Sequence, residues 1–360
     1  METDHYRSDE FNGKRVVVVG VSSSASDIIA SLLPVASKVY MSHRRGAALV
    51  PRFRKGFPPD LMTTWRRRQM AISLQRTFPN FSRWLIDWLV QFATKQMYGD
   101  LDPAWGLQPA PSFTLSPRAA SDHIIPALRD GSLTSLQGIK RFIGPSSIEF
   151  ADGIVLDDVD AVVCATGYQA DFSAAPFLEK SRPADYGGKD IVRLWMNLFP
   201  PKYAESMVML CHSALGKNNG FSFSDVTSMA VSNIWRGNHP TPTMEEMEKQ
   251  IDSHQEWVAS RWRLDDKVDV SMVKTWEYQS FLHEAAGTGM ENLGWGWKGW
   301  KFWVQDPKMS FMMNNGVETA HAFRYFETGK RRAWPGARDA IIHMNELVKI
   351  FPIKQEKETP

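Results

Sequence analysis

Residues 14–27 read KRVVVVGVSSSASD. Four consecutive valines, Val16, Val17, Val18 and Val19, make a short apolar run without alternation. That is the pattern of a central strand in a parallel sheet covered on both faces. Gly20 follows at once, then mostly small residues through Ser26, then a helical pattern that includes Asp27, Ile28 and Ile29. Strand, tight glycine turn and helix in that order are the setting in which dinucleotide phosphates rest on a helix N-terminus.

The fingerprint G-x-G-x-x-G/A meets Gly20, Ser22 and Ala25 at its three positions. Gly20 can make the turn, and Ala25 still allows close helix–strand packing. The Cβ of Ser22 takes room that a pyrophosphate would use. The alternative for the same residues is a buried strand followed by a serine-rich N-cap. Residues 38–41 form a second candidate strand, which runs into Ser42, His43, Arg44, Arg45 and Gly46. An NAD site carries an acid about here for the ribose 2′-hydroxyl. Two arginines stand there instead, and a guanidinium fork suits a 2′-phosphate, so the pair favours NADP(H). A solvated basic turn is the alternative, with Arg52, Arg54 and Lys55 close behind.

At 360 residues the chain can bury a substantial core, in two domains. A net charge of +2 gives no argument for a nucleic-acid partner. Two cysteines, Cys164 and Cys211, argue against a disulfide scaffold and a thiolate-rich metal site. Cys164 sits in an apolar run and reads as a buried core thiol. No apolar stretch reaches membrane-spanning length, and no apolar leader opens the chain, so a soluble cytoplasmic protein is expected. Among 14 tryptophans, Trp295, Trp297, Trp300 and Trp303 crowd one stretch and read as core or interface.

Residues 61–98 read as two helices broken near Pro79 and Asn80, with Trp84, Leu85, Trp88 and Leu89 sharing a face. Residues 99–117 read as a long ordered loop. Ser121 can cap a short helix that stops at Asp130. Strands are expected at 133–136, 139–143 and 147–150, with a hairpin turn at Asp152 and Gly153. The apolar strand 161–165 is closed by Thr166, Gly167 and Tyr168, and a glycine just past a buried strand is where an α/β sheet commonly meets its ligand. Further on, a strand is expected at 207–210, a loop at 216–220, and a helix capped by Ser224 and Asp225 that runs to Trp235. A long helix follows from Thr243, residues 281–307 read as irregular, and terminal helices are expected at 318–326 and 336–350. His5, His43, His123 and His212 read as surface or hydrogen-bonded residues.

In this order, GKRVVVVGVSSSASD, then HRRG with LVPR behind it, then CATGYQADFSAAPFL resembles the flavin-containing monooxygenases, fungal, plant-like or Baeyer–Villiger-like members among them. Gly20, Ser24 and Ala25 match the family's NADP(H) motif, with Ser22 in place of its second glycine. Arg44 and Arg45 match its basic turn. Ala165, Thr166, Gly167 and Tyr168 match its ATGY motif. The resemblance implies an α/β fold: a Rossmann-like NADP-binding domain with helical insertions, the remnant of a second, flavin-type α/β domain, and a helical C-terminal extension. Expected boundaries are a lead-in at 1–12, the NADP(H) domain at 13–157 with its helical segment 61–98, a partial flavin-domain region at 158–237, and a mostly helical region at 238–360. The family's separate FAD-binding glycine motif would precede residue 1, so the region 160–237 is expected to be compromised for lack of its partner.

The resemblance further implies that NADPH reduces FAD and that O₂ then delivers one oxygen atom to a soft nitrogen or sulfur or to a ketone. Gly20, Ser22, Ser24 and Ala25 would hold the pyrophosphate, and Arg44 and Arg45 the 2′-phosphate. Thr166, Gly167 and Tyr168 would lie beside the flavin–NADP junction. A small organic substrate and O₂ are the expected partners, with self-association open and no metal. Two other readings stay open: a flavin-free NADP(H)-binding reductase or module, and a non-catalytic interaction protein or decayed fragment.

Overall fold

In β1 (Arg15–Val19) the side chains alternate between two covered faces, which is why the valine run needs no polar residue. Val16 and Val18 face a core containing Ala25, Ile28, Ile29 and Leu32 of α1 (Ser23–Leu32). Val17 faces a different core with Tyr40, Ile148 and Phe150. The computed structural model describes residues 6–53, 56–58, 61, 63–116, 119–167, 171–183, 186–187, 190–210, 220–266, 268, 272–328 and 332–350.

In chain order, α1 leads to β2 (Lys38–Ser42), β3 (Leu49–Val50), α2 (Trp65–Thr77), α3 (Pro79–Tyr98), β4 (Ala119–Ala120) and α4 (Ile124–Arg129). Next come β5 (Leu133–Leu136), β6 (Ile139–Phe142), β7 (Ile148–Phe150), β8 (Val155–Leu156) and β9 (Ala161–Cys164). A short hairpin, β10 (Lys180–Ser181) and β11 (Ile191–Val192), precedes α5 (Gly220–Trp235), α6 (Met244–Trp262), α7 (Thr275–Ala285), α8 (Trp297–Gln305), α9 (Pro307–Asn315) and α10 (Ala337–Ile350). The chain divides into two units, Met1–Arg52 with Arg83–Asp171, and Phe53–Ser82 with Phe172–Pro360.

The first unit is a parallel sheet in the order β5-β2-β1-β9. Helices α1 and α4 cover one face, and the antiparallel sheet β6-β7-β8 contributes to the core on the other. The α/β class with a Rossmann-type parallel sheet is thus borne out. Residues 161–164, expected in a flavin-type sheet, instead pair with β1, Val16 opposite Ala161 through Val19 opposite Cys164. This gives the apolar strand the partner it needs. As an edge strand, however, it leaves Cys164 exposed rather than buried. Ser121 does hold the start of α4, its Oγ accepting from Ile124 N at 3.1 Å.

The second unit is mainly helical around a main core that includes Phe199, Phe223, Tyr278, Met309 and Phe323. The long helix α6 opens on Thr243 and Glu246, which satisfy each other's backbone N–H groups in a capping box. Four local expectations fail here. Residues 207–210 form no ladder; Met209 N donates to Leu198 O at 2.7 Å, and the side chains of Met207 and Met209 pack on the β11 side of a small core. Helix α5 starts at Gly220, so Asp225 is no cap but grips Arg324 through both oxygens, at 2.5 and 2.6 Å. Residues 318–326 hold only a tight turn (Ala320–Arg324), pinned by that pair and by the ion pair of Glu318 with Arg68. Residues 281–307 are largely helical: the glycines suggested irregularity, yet a Cβ on Gly299 would lie 1.8 Å from Gly294 O, so this glycine serves close packing inside α8. The expected loop at 216–220 lies mostly outside the described residues, as do His5, His212 and Cys211.

Candidate functional site

The parallel sheet places the sequence motifs at the carboxyl ends of its strands β1, β2 and β9. From β1 the chain moves outward through β2 to β5, then returns to β9 on the other side of β1. The carboxyl ends of β1 and β9 therefore flank a topological switch point, where open α/β sheets bind their ligands. Gly20 ends β1 with φ +130°, and its N–H donates to Ser42 O at 2.9 Å. Ala165 N donates to Val19 O at 2.8 Å. A Cβ on Gly20 would lie 2.4 Å from Ala165 O, so the glycine turn and the ATG segment are in backbone contact.

Around that contact, Ser22 is the N-cap of α1 in extended geometry and makes no side-chain capping bond. Its neighbours Ser23 and Ser24 are exposed, leaving the first amides of a ten-residue helix available to an anion. Ala25 is fully buried and lets α1 approach β1 closely, so its contribution to a pyrophosphate is the backbone N–H alone. Thr166 and Gly167 are exposed just past β9, with Gly167 at φ +86°. Tyr168 lies outside the described residues.

At the end of β2, Arg44 and Arg45 are both exposed. Arg45 donates through Nη2 to Ser116 Oγ at 3.2 Å, whereas Arg44 has no ion pair among the described residues. His43 between strand and turn is buried at 5% exposure and bonded to Arg45 O, Trp105 O and Ser135 Oγ. It is a scaffold for the basic turn, as its hydrogen-bonded reading anticipated; His123 is exposed. One residue here was read only as part of a basic loop. Arg52 pairs with Asp27 on α1, donates to Ala120 O, and is fixed by Asp122, which accepts from Arg52 N at 2.9 Å. Its place in LVPR, just behind the HRRG turn, was the available signal.

The second unit contains a separate cavity of about 1060 Å³ lined by α2, α7 and the segment after α7, with Trp65, Met70, Trp276, His283 and Trp295 on its wall. None of the motif residues lines it. Burial, reinforced by the nearby Arg68 cation, lowers His283 from 6.5 to about 3, so its imidazole is neutral at physiological pH. Burial also lowers Arg68 to about 9, leaving it charged at pH 7 and paired with Glu318. Among the described residues no cluster of His, Cys, Asp or Glu could hold a metal ion, and no helix is long and apolar enough to cross a membrane.

The sequence matches the family described as flavin-binding monooxygenase-like over residues 2–358. It is similar to monooxygenase aurF of Gibberella zeae, at 35% identity over 92% of this chain and 64% of that protein. It is also similar to human flavin-containing monooxygenase 3, at 26% identity over 94% of this chain and 59% of the relative. Among solved structures, the NADP⁺-bound cyclohexanone monooxygenase of Rhodococcus sp. Phi1 aligns with a TM-score of 0.47 and 14% identity, over 77% of this chain and 65% of that one. The chain therefore spans less than two thirds of the length of the curated relatives it matches. With its parallel sheet and the three motifs the sequence resemblance rested on, the chain belongs to the flavin-binding monooxygenase-like family.

Proposed function

We propose that this chain supplies the NADP(H)-binding part of an FAD-dependent monooxygenase, which uses O₂ to oxygenate a soft nitrogen or sulfur or a ketone in a small organic molecule. The observation that carries the reading is the backbone contact between Gly20 and Ala165 at the β1–β9 switch point, beside an uncapped α1 N-terminus. The residues present fit a dinucleotide there. The amide N–H groups of Ser23, Ser24 and Ala25 would donate to the pyrophosphate, with Ser22 Cβ at the margin of its site. The free guanidinium of Arg44 would meet the 2′-phosphate, with Arg45 held by Ser116 as its neighbour. Thr166 and Gly167 would border the place where nicotinamide and isoalloxazine rings meet.

The bound cofactors supply hydride transfer and oxygen chemistry. What the chain itself contributes is position: backbone donors fixed by the sheet, a basic turn braced by buried His43, and exposed Thr166 and Gly167 tied to β1 through Ala165. The NADP(H)-binding domain proposed for residues 13–157 extends in this reading through β9.

The test is equilibrium binding of NADPH, NADH and FAD to the purified chain, followed by oxygen-dependent NADPH oxidation. NADPH binding together with a flavin spectrum that survives removal of free FAD supports the proposal. NADPH binding without retained flavin favours the second reading, a flavin-free NADP(H) module. That reading draws on one observation: the described residues form one glycine-turn half-site, β1–α1.

A further inference from the structure

The two arginines of the basic turn are aimed in different ways. Arg45 is tied to Ser116 Oγ by a hydrogen bond, which takes up one of its donors. Arg44 is exposed and makes no ion pair among the described residues, so packing has to set its direction. Gly138, between β5 and β6, supplies that packing. A Cβ on Gly138 would lie 2.6 Å from Arg44 Cγ, with Arg44 Cβ and Cδ each at 3.6 Å. The root of the Arg44 side chain therefore rests on the bare backbone of Gly138, which is buried.

Hydrogen bonds hold the two backbones in this register. Just before Arg44, Ser42 Oγ donates to Gln137 O at 2.7 Å and His43 N donates to Leu136 O at 3.1 Å. Gly138 O in turn accepts from Ala151 N at 2.9 Å. The neighbouring Gln137 side chain occupies the space over Gly106, where a Cβ would lie 2.7 Å from Gln137 Nε2 and 3.5 Å from His43 Cε1. Retreat of either backbone breaks these bonds. Arg44 Cγ is the first atom beyond Cβ, so rotation about χ1 is what moves it aside, and the next staggered well is about 120° away. A step of that size carries the whole guanidinium to another part of the surface. Gly138 is not among the glycines at positive φ, so the position demands the missing Cβ rather than a special backbone conformation.

We infer that Gly138 is a positioning residue for nucleotide choice: its bare backbone sets the χ1 rotamer of Arg44 and thereby aims the guanidinium at the 2′-phosphate of NADP(H). The ligand rests on the NADP(H) reading above, whereas the packing stands without it. A side chain preset in this way gives up less rotamer freedom on binding, and it spends none of its donors on being held.

Titration of wild type, G138A, R44A and R44A/G138A with NADPH and NADH tests the inference, with G144A as control because a Cβ there meets Ser147 Cβ at an ordinary 3.5 Å. G138A should raise the Kd for NADPH about three- to fivefold, part of the roughly tenfold that R44A removes, and change NADH less than about twofold. In the R44A background it should change neither by more than about twofold, because it acts through Arg44 alone. G138S carries the same Cβ and should repeat the result, and G144A should match wild type. Crystal structures of wild type and G138A without nucleotide should show Arg44 in different χ1 wells. An unmoved χ1, equal weakening of both nucleotides by G138A, or a further loss on adding G138A to R44A overturns the inference. So does failure of both G138A and G138S to fold, which would make the position one of stability. Failure of R44A itself to discriminate overturns the NADP(H) assignment together with the ligand named here, whereas an unmoved χ1 overturns the role of Gly138 alone.

Discussion

Replacing Arg44 by alanine should separate NADPH from NADH. Arg44 is exposed at the end of β2 and has no ion pair among the described residues, so its guanidinium keeps its donors for a ligand. A hydrogen bond to a charged group contributes about 1.5–3 kcal/mol, and an exposed site lies at the lower end of that range. About 1.5 kcal/mol corresponds to roughly a tenfold rise in the Kd for NADPH. NADH lacks the 2′-phosphate and should change less than about twofold, because all its other contacts remain. Arg45 already donates to Ser116, so Arg45→Ala should discriminate less between the two nucleotides than Arg44→Ala. Titration by quenching of protein fluorescence at low and high salt reads all of these, and the Arg44 effect should shrink as salt screens it. Equal weakening of NADPH and NADH by Arg44→Ala, or discrimination that follows Arg45 alone, would refute the assignment.

Gly20→Ala should destabilise the first unit by about 3 kcal/mol or more, because strained backbone at φ +130° adds to a collision with Ala165 O that no side chain can relieve. Gly167→Ala, with φ +86° but open space around it, should cost only about 1–2 kcal/mol in the same urea titrations; equal costs would mean the backbone contact carries nothing. Arg68 and Glu318 form a pair with side chains only 12% and 11% exposed, so Glu318→Gln should cost about 3–5 kcal/mol by stranding a buried cation. The double change R68M/E318L should recover most of that, and thermal melts showing additive losses would argue against a coupled pair. His283 holds a pKa of about 3 in the fold against 6.5 ordinarily, so the unfolded chain takes up the proton first and stability falls as pH drops below about 6.5. Between pH 7.5 and 5.5 the wild-type chain should lose about 1 kcal/mol more than His283→Gln in urea midpoints, and parallel losses would show that the imidazole is not held neutral.

The division between what was legible and what was not follows the range of the interactions. The valine run, Gly20, the Arg44–Arg45 turn and the ATGY segment are each local in sequence. Backbone conformation and strand burial are local consequences, so the sequence alone determined the α/β class, the strand–glycine–helix unit at β1–α1 and the family. The break between α2 and α3 at Pro79 was legible for the same reason, since proline acts on its own neighbours. Strand pairing is not local. An apolar run such as residues 161–165 says that it must be buried, but not beside which strand, and only the tertiary structure put β9 against β1 and so brought Ala165 onto Gly20. Sidedness is also a tertiary matter. Trp84 and Trp88 share a helical face as their spacing required, yet that face is exposed, and the tryptophans of α8 are exposed in the same way. A 3.6-residue period records that a helix has an apolar side, whereas what that side meets depends on chain far away in sequence. Glu318 and Asp225 make the point from the polar side: each reads as a terminal or capping acid, and each is claimed by an arginine that only folding brings within reach.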